Sequence, residues 1–260
     1  MAPSLEFSLA FPTVSTLIDG PVSPGTLQSD SVDVWSCSLE GGETVVKRCH
    51  ACLSDEEQVR AARFVRPEDQ TRFILAHGGL RVVLGRYESV APATLRFRAG
   101  PTGKPALLDR QGDPARLRFN LSHSHGRMLI AVAQGHDVGI DLEQIRDNLE
   151  SLKLAERFYT AQEYESIARR PASDQALQFY RLWVAKEAFL KSQGTGIPSL
   201  QQCEIHEASS SSRASVRITR QSSLQEGWTV QWLKCGSGWQ GAVSACGNDW
   251  QVRVCDAMSS

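Results

Sequence analysis

Apolar residues in this chain recur in two rhythms, one of period two and one near 3.6, and their alternation blocks out the fold before any chemistry is considered. Val32–Leu39 alternates apolar and small polar residues as a half-buried strand does. Ser54-Asp55-Glu56-Glu57 then opens a helix, with Ser54 as N-cap and Glu57 as the capping-box acid, and Pro67 is expected to end it. A second helix is predicted over Glu68–Tyr87. Gly100–Pro105 and Gln111–Pro114 are turn clusters. Met128–Ala133 and Val138–Leu142 read as strands joined by a turn at Gln134–Asp137, and helical periodicity returns between 150 and 193. Short alternating runs at Val216–Arg220, Trp228–Leu233, Ala242–Cys246 and Gln251–Val254 predict an antiparallel meander, with Ser209–Ser212 a polar loop among them. Residues 1–31, rich in Pro, Ser, Thr and Gly, read as an irregular arm.

A faint repeat runs through this pattern. Arg63-Phe64 followed by Glu68 and Asp69 is similar to Arg157-Phe158 followed by Glu163, each ahead of a long helix and after a strand. The expected architecture is α+β: two pseudo-symmetric halves, residues 1–135 and 136–260, each an antiparallel sheet packed with helices.

Composition narrows the function classes. A formal net charge of −1 and a pI near 6.6 supply no global field toward nucleic acid or an anionic membrane, so any basic site is local. No apolar run approaches the ~20 residues of a membrane span. An acid near the start, at Glu6, stands where a signal peptide would be basic, so a soluble cytoplasmic protein is expected. The 7 cysteines form no disulfide framework. Cys49-His50-Ala51-Cys52 has the spacing of a zinc half-site or a redox pair. No second half-site follows at a useful distance, and free thiols are the better reading.

Four segments carry chemistry. In Val138-Gly139-Ile140-Asp141-Leu142-Glu143, strand geometry sends Asp141 and Glu143 to one face and Ile140 and Leu142 to the other. Two carboxylates side by side suit Mg²⁺, although an Asp-x-Glu by itself is more often a solvated strand face. In Phe179–Lys191, Phe179, Leu182, the stem of Lys186 and Phe189 share one helical side, while Trp183, Glu187 and Lys191 share another. Glu187 and Lys191 also have the spacing of an ordinary helix ion pair. Asn120-Leu121-Ser122-His123-Ser124 is a polar run between apolar strands, and Ser122 and His123 are suited to phosphate oxygens. In Gly103-Lys104-Pro105 a tight turn presents Lys104, without the spacing of a P-loop.

In this order, these segments resemble the surfactin-synthetase-type 4′-phosphopantetheinyl transferases from about Leu53 to Gly196. Phe158–Tyr164 and Gly194-Thr195-Gly196 extend the agreement. The resemblance implies a monomer of two similar halves with coenzyme A in the cleft between them. It implies Mg²⁺ held by Asp141, Glu143 and Glu187, a pyrophosphate neutralised by Lys191 and Lys186, and Glu187 or a water it positions as general base. His123, Arg60 and Arg72 would hold the 3′-phosphate end, with Lys104 and Ser122 nearby. The partner would be an acyl or peptidyl carrier protein whose serine receives the phosphopantetheine arm. One departure is Glu57, which stands where a lysine near the nucleotide is expected; either that contact is dropped or Arg60 and Arg63 take it over. A Mg²⁺-dependent transferase with another donor, or an inactive carrier-binding module, would use the same scaffold. The first is separated by donor range; the second would be expected to have lost one of the three acids or Lys191.

Overall fold

The computed structural model describes residues 8–20, 24–146, 148–207, 212–218 and 227–255. Within the expected N-terminal arm, Val14 and Leu17 lie one helical turn apart and are both buried, and they anchor a short helix, α1 (Val14–Asp19). Strand β1 (Ser31–Ser38) follows as expected. Helix α2 (Glu43–Ala51) has no counterpart in the sequence reading, because the β-branched run Thr44-Val45-Val46 speaks against a helix. Tertiary packing overrides that weak preference. Val45 and Val46 pack on the core, and a Cβ added at Gly78 would meet the Cys49 Cα at 2.8 Å. Cys49 is therefore committed to a close helix–helix contact, and burial pushes its thiol up to about 12.

Helix α3 (Asp55–Ala62) carries the full capping box of Ser54 and Glu57. It ends four residues short of Pro67, which instead occupies the first turn of α4 (Pro67–Glu88), where its missing N–H costs nothing. The hairpin β2 (Arg96–Ala99) and β3 (Pro105–Leu108) leads to β4 (Leu117–Ser124) and β5 (Arg127–Gln134). The polar run Asn120–Ser124 is thus the end of a strand and not a loop between strands. Strand β6 (Val138–Gln144) opens the second half, followed by α5 (Ser151–Phe158), α6 (Ala161–Ala168) and α7 (Ala172–Gln193). Gly194, at φ 65°, supplies the left-handed residue that stops α7. Strands β7 (Cys203–Glu207), β8 (Arg213–Ile218), β9 (Trp228–Leu233), β10 (Trp239–Cys246) and β11 (Gln251–Cys255) complete the order. The expected Ser209–Ser212 loop, apart from Ser212, and the end of the Val216–Arg220 run lie outside the described residues.

Two main sheets form. One has the order β11-β1-β5-β4 and the other β6-β10-β9-β8-β7. The tail is a meander only as far as β10. The Gln251–Val254 run leaves it and pairs in parallel with β1, Asp33 opposite Arg253. That exchange is fixed by a buried cluster: Arg253 donates to both Asp33 oxygens at 2.7 and 2.6 Å, and Tyr87 Oη donates to Asp33 at 2.6 Å. Asp33 is 0% exposed, so alternating periodicity alone could not reveal its partner. Strands β5 and β6, though joined by the expected turn, belong to different sheets.

Helices α1, α2 and α4 pack on one face of the first sheet, and α5, α6 and α7 on the second. A third core lies between the sheets, where Val32, Val34 and Ala131 meet Val138, Ile140 and Val243. Each fully buried Val or Ile in this layer contributes about 1.5–3 kcal/mol. The repeat is real, but its register differs from the sequence expectation. Ser54, Glu57 and Arg81 correspond to Thr160, Glu163 and Lys186: a capping box whose acid reaches a buried cation on the following long helix. Arg63 follows the first of these short helices, whereas Arg157-Phe158 precede the second, so those pairs are not equivalent.

Candidate active site

The outer strands β4 and β6 of the two sheets run side by side in the same direction, and side chains link them. Asn120 Oδ1 accepts from Ile140 N at 2.9 Å, Ser122 Oγ donates to Asp141 Oδ1 at 2.9 Å, and Ser124 Oγ donates to Glu143 Oε2 at 2.9 Å. Helix α7 closes the third side. It comes so near β6 that a Cβ on Gly139 would sit 2.0 Å from Ala188 O. This approach brings Glu187 and Lys191 to the strand carboxylates. Lys191 Nζ donates to Asp141 Oδ1 at 2.6 Å and to Ser122 Oγ at 3.0 Å. The ammonium thus serves Asp141, where helix spacing alone would have paired it with Glu187.

Crowding of three acids sets the electrostatics. Burial first, then Asp141, raise the Glu187 carboxyl to about 7, against the pull of Lys191 and with a further push from Glu143. Glu143 is raised by burial and by Asp141, while the Ser124 hydroxyl partly offsets the shift. Asp141 Oδ2 and Glu187 Oε1 are buried and have no hydrogen-bond partner. Such oxygens are costly to leave unsatisfied. Among the described residues no group of three or more His, Cys, Asp or Glu side chains is arranged to hold a metal by itself. A hard cation that completes its shell with phosphate oxygens and water fits this donor set, since Mg²⁺ takes only one or two carboxylates with substrate phosphates.

The remaining expected residues fall in different places. His123 sits next to Ser122 at the end of β4, exposed yet crowded. Desolvation first, then the charges of His77, Lys191 and Arg72, hold its pKa below the usual histidine value. Arg72 is exposed, 3.5 Å from Asp69. Arg60 places its guanidinium 5.1 Å from the Phe73 ring centre, and that ring stacks on His77 at 4.0 Å. Lys104 donates to Ser192 O at 2.9 Å and Val138 O at 3.2 Å, where the β2–β3 hairpin meets the second half. It borders a cavity of about 420 Å³ that Thr102, Arg118 and Asp137 also line. Lys186 is not brought to the acids. It is 0% exposed and donates to Glu163 Oε2 at 2.5 Å, so its ammonium follows its stem into the core. Glu57 is likewise held in the scaffold, where it accepts from Arg81 Nε at 2.6 Å and lies 3.1 Å from His77 Nδ1. Burial would raise its pKa, but hydrogen bonds from His77 and the Ser54 backbone, with the Arg81 charge, bring it to about 2. Sequence reasoning passed over His77, and it gave no separate role to Asn120 and Ser124 within the polar run that it singled out. The period of two through Asn120, Ser122 and Ser124 was the signal for the last two.

Two α+β halves meet at a seam of three acids and one ammonium, a set that suits a divalent cation with phosphate oxygens. Residues 40–136 match the family described as 4′-phosphopantetheinyl transferase, N-terminal, and residues 137–255 match the 4′-phosphopantetheinyl transferase superfamily. The chain belongs to this family. It is 41% identical over 180 residues to the 4′-phosphopantetheinyl transferase HetI of Nostoc sp., covering 69% of this chain and 76% of that one. It is 32% identical over 151 residues to the 4′-phosphopantetheinyl transferase Sfp of Bacillus subtilis, covering 58% and 64% of the two chains.

Proposed function

We propose that this chain transfers the 4′-phosphopantetheine group of coenzyme A to a serine hydroxyl of an acyl or peptidyl carrier protein, with Mg²⁺, at the seam between β4, β6 and α7. The observation that carries the reading is the pair of buried, unpartnered oxygens on Asp141 and Glu187, facing the same crowded cluster as Glu143 and Lys191. Asp141, Glu143 and Glu187 would hold the cation. When bound, it supplies Lewis-acid neutralisation of the diphosphate oxygens. Lys191 Nζ, already within 2.6 Å of Asp141, adds a positive charge where negative charge develops on the leaving group.

The carrier serine hydroxyl attacks the β-phosphorus, its proton passes to the Glu187 carboxylate, and the broken P–O bond releases adenosine 3′,5′-bisphosphate. General-base transfer of this kind contributes typically ~10²–10⁴-fold. His123 with Arg72, and Arg60 beyond Phe73, would read the 3′-phosphate. Lys186 has no part in this scheme, and Lys104 acts at the hairpin. The two halves, 1–135 and 136–260, a monomeric state and a cytoplasmic location complete the proposal. Among the described residues no helix is long and apolar enough to cross a membrane. Mass spectrometry of apo carrier proteins incubated with the enzyme, coenzyme A and Mg²⁺ tests it. A gain of the phosphopantetheine mass, lost with Asp141→Ala in a folded protein, is the expected result. An unchanged carrier, or full transfer by Asp141→Ala, overturns it.

A further inference from the structure

Strand β4 presents Ser122 and Ser124 two residues apart, on the face that meets β6. Each donates its one hydroxyl proton to one oxygen of one β6 acid: Ser122 to Asp141 Oδ1, Ser124 to Glu143 Oε2, both at 2.9 Å. The lone pairs of these hydroxyls are themselves supplied. Lys191 Nζ donates to Ser122 Oγ at 3.0 Å. Gln144 N donates to Ser124 Oγ at 3.4 Å, and His125 Nδ1 lies 3.2 Å from the same oxygen. A hydroxyl that accepts from its other neighbours has its proton committed to the acid. Both serines are buried, at 6% and 8% exposed, so water does not replace them readily.

Resting on the reading of these acids as cation ligands, we propose that Ser122 and Ser124 are positioning residues that pin one oxygen of each β6 carboxylate and thereby aim the other at the cation. Hydroxyls suit this role. A neutral donor fixes the carboxylate without cancelling its charge, whereas a second ammonium would compete with the cation. The outcome is visible at Asp141, where Oδ1 is held twice and Oδ2 is left buried and unpartnered. His125 extends the arrangement. It adopts φ 50°, unusual for a residue with a side chain, and its ring stands edge-on to Trp239 at 6.4 Å. That conformation belongs to the two-residue turn His125-Gly126 between β4 and β5, where Ser124 pairs with Arg127.

Partners of this kind typically change metal affinity ~10–100-fold when removed. The test is direct Mn²⁺ binding by calorimetry and electron paramagnetic resonance, on the full chain with saturating coenzyme A and no carrier protein. Ser124→Ala is expected to weaken Mn²⁺ binding by about tenfold or more while still unfolding cooperatively, and Ser124→Thr, which keeps the hydroxyl, to restore it. Transfer by Ser124→Ala should recover as Mn²⁺ is raised, with KM for coenzyme A unchanged at saturating metal. Equal Mn²⁺ affinity in wild type and a folded Ser124→Ala overturns the positioning role and leaves Ser124 as a link between sheets. If wild type binds no Mn²⁺ and Asp141→Asn binds none either, the cation reading itself fails, and the proposal with it.

Discussion

Glu187 shares its surroundings with Asp141 and Glu143, and their mutual repulsion has a thermodynamic signature that a surface ion pair would lack. Its carboxyl is raised from the usual 4.5 to about 7, by burial first and then by Asp141. Between those two values the folded protein keeps a proton that the unfolded chain has released. Stability therefore falls as pH rises through this window, and the full penalty is present above about pH 7. In Mg²⁺-free buffer, Glu187→Gln should raise the melting temperature at pH 8 and change it little at pH 4.5, while kcat with Mg²⁺ falls by ~10²-fold or more. A lower melting temperature with intact kcat would leave Glu187 a structural helix residue with no part in the transfer.

The 3′-phosphate provides a second residue-scale test. Charge-assisted hydrogen bonds contribute ~1.5–3 kcal/mol each, so dephospho-coenzyme A should be used about ten- to several-hundred-fold less well in kcat/KM. Arg72→Ala should raise KM for coenzyme A and leave the dephospho form nearly unchanged. Equal loss with both donors would make Arg72 structural. At this scale much was legible in advance. Asp141 and Glu143 follow from strand periodicity, and Ser54–Glu57 from capping chemistry. The fates of Lys186 and Glu57 were not, because each is decided by a partner 23 or 24 positions away that no local pattern identifies.

Among the elements, the approach of β6 to α7 governs whether the strand acids and the helix residues share a site. Gly139 is needed here for space: Ala188 O at 2.0 Å and Ser192 N at 2.4 Å from an added Cβ are both backbone atoms and cannot rotate away. Gly139→Ala should cost ~1–3 kcal/mol, the range for overpacking. It should also lower kcat by more than that stability loss explains, because Asp141 would move relative to Lys191. Denaturant unfolding paired with kinetics checks both; wild-type kinetics in a destabilised protein would show that the close approach serves packing alone. Several elements were readable from sequence, since α3, α4, the helical stretch that holds α7, and strands β6, β9 and β10 follow period and capping, whereas β7 (Cys203–Glu207) was not anticipated and β8 begins three residues before the expected run. Helix α2 was hidden by Val45 and Val46, whose β preference gives way once Gly78 admits Cys49 against α4.

Over the whole molecule, β11 ties residues 251–255 into the sheet of the first half. Its anchor is the Asp33–Arg253 pair, with Trp35 Nε1 donating to the Tyr87 oxygen at 2.9 Å behind it. Arg253→Leu leaves a fully buried carboxylate with only neutral partners, the Tyr87 hydroxyl and the Cys255 thiol. The expected loss is on the order of 3 kcal/mol, the low end for an uncompensated buried charge because Arg253 is itself partly exposed. Chemical denaturation measures it, and Asp33→Asn in the same background should recover part of the loss. No recovery would place the cost in lost packing of the arginine stem.

The same strand reaches across 220 positions of sequence to find Asp33. Chain closure over such a span costs entropy before any contact offsets it, and folding slows accordingly. During synthesis, at ~5–20 residues per second, β1 emerges early and waits with one edge unpaired until β11 has left the ribosome. An open β edge is a template for pairing with another chain. For this protein the hazardous interval is the time between making its first strand and its last, and a chaperone that shields β1 would act there.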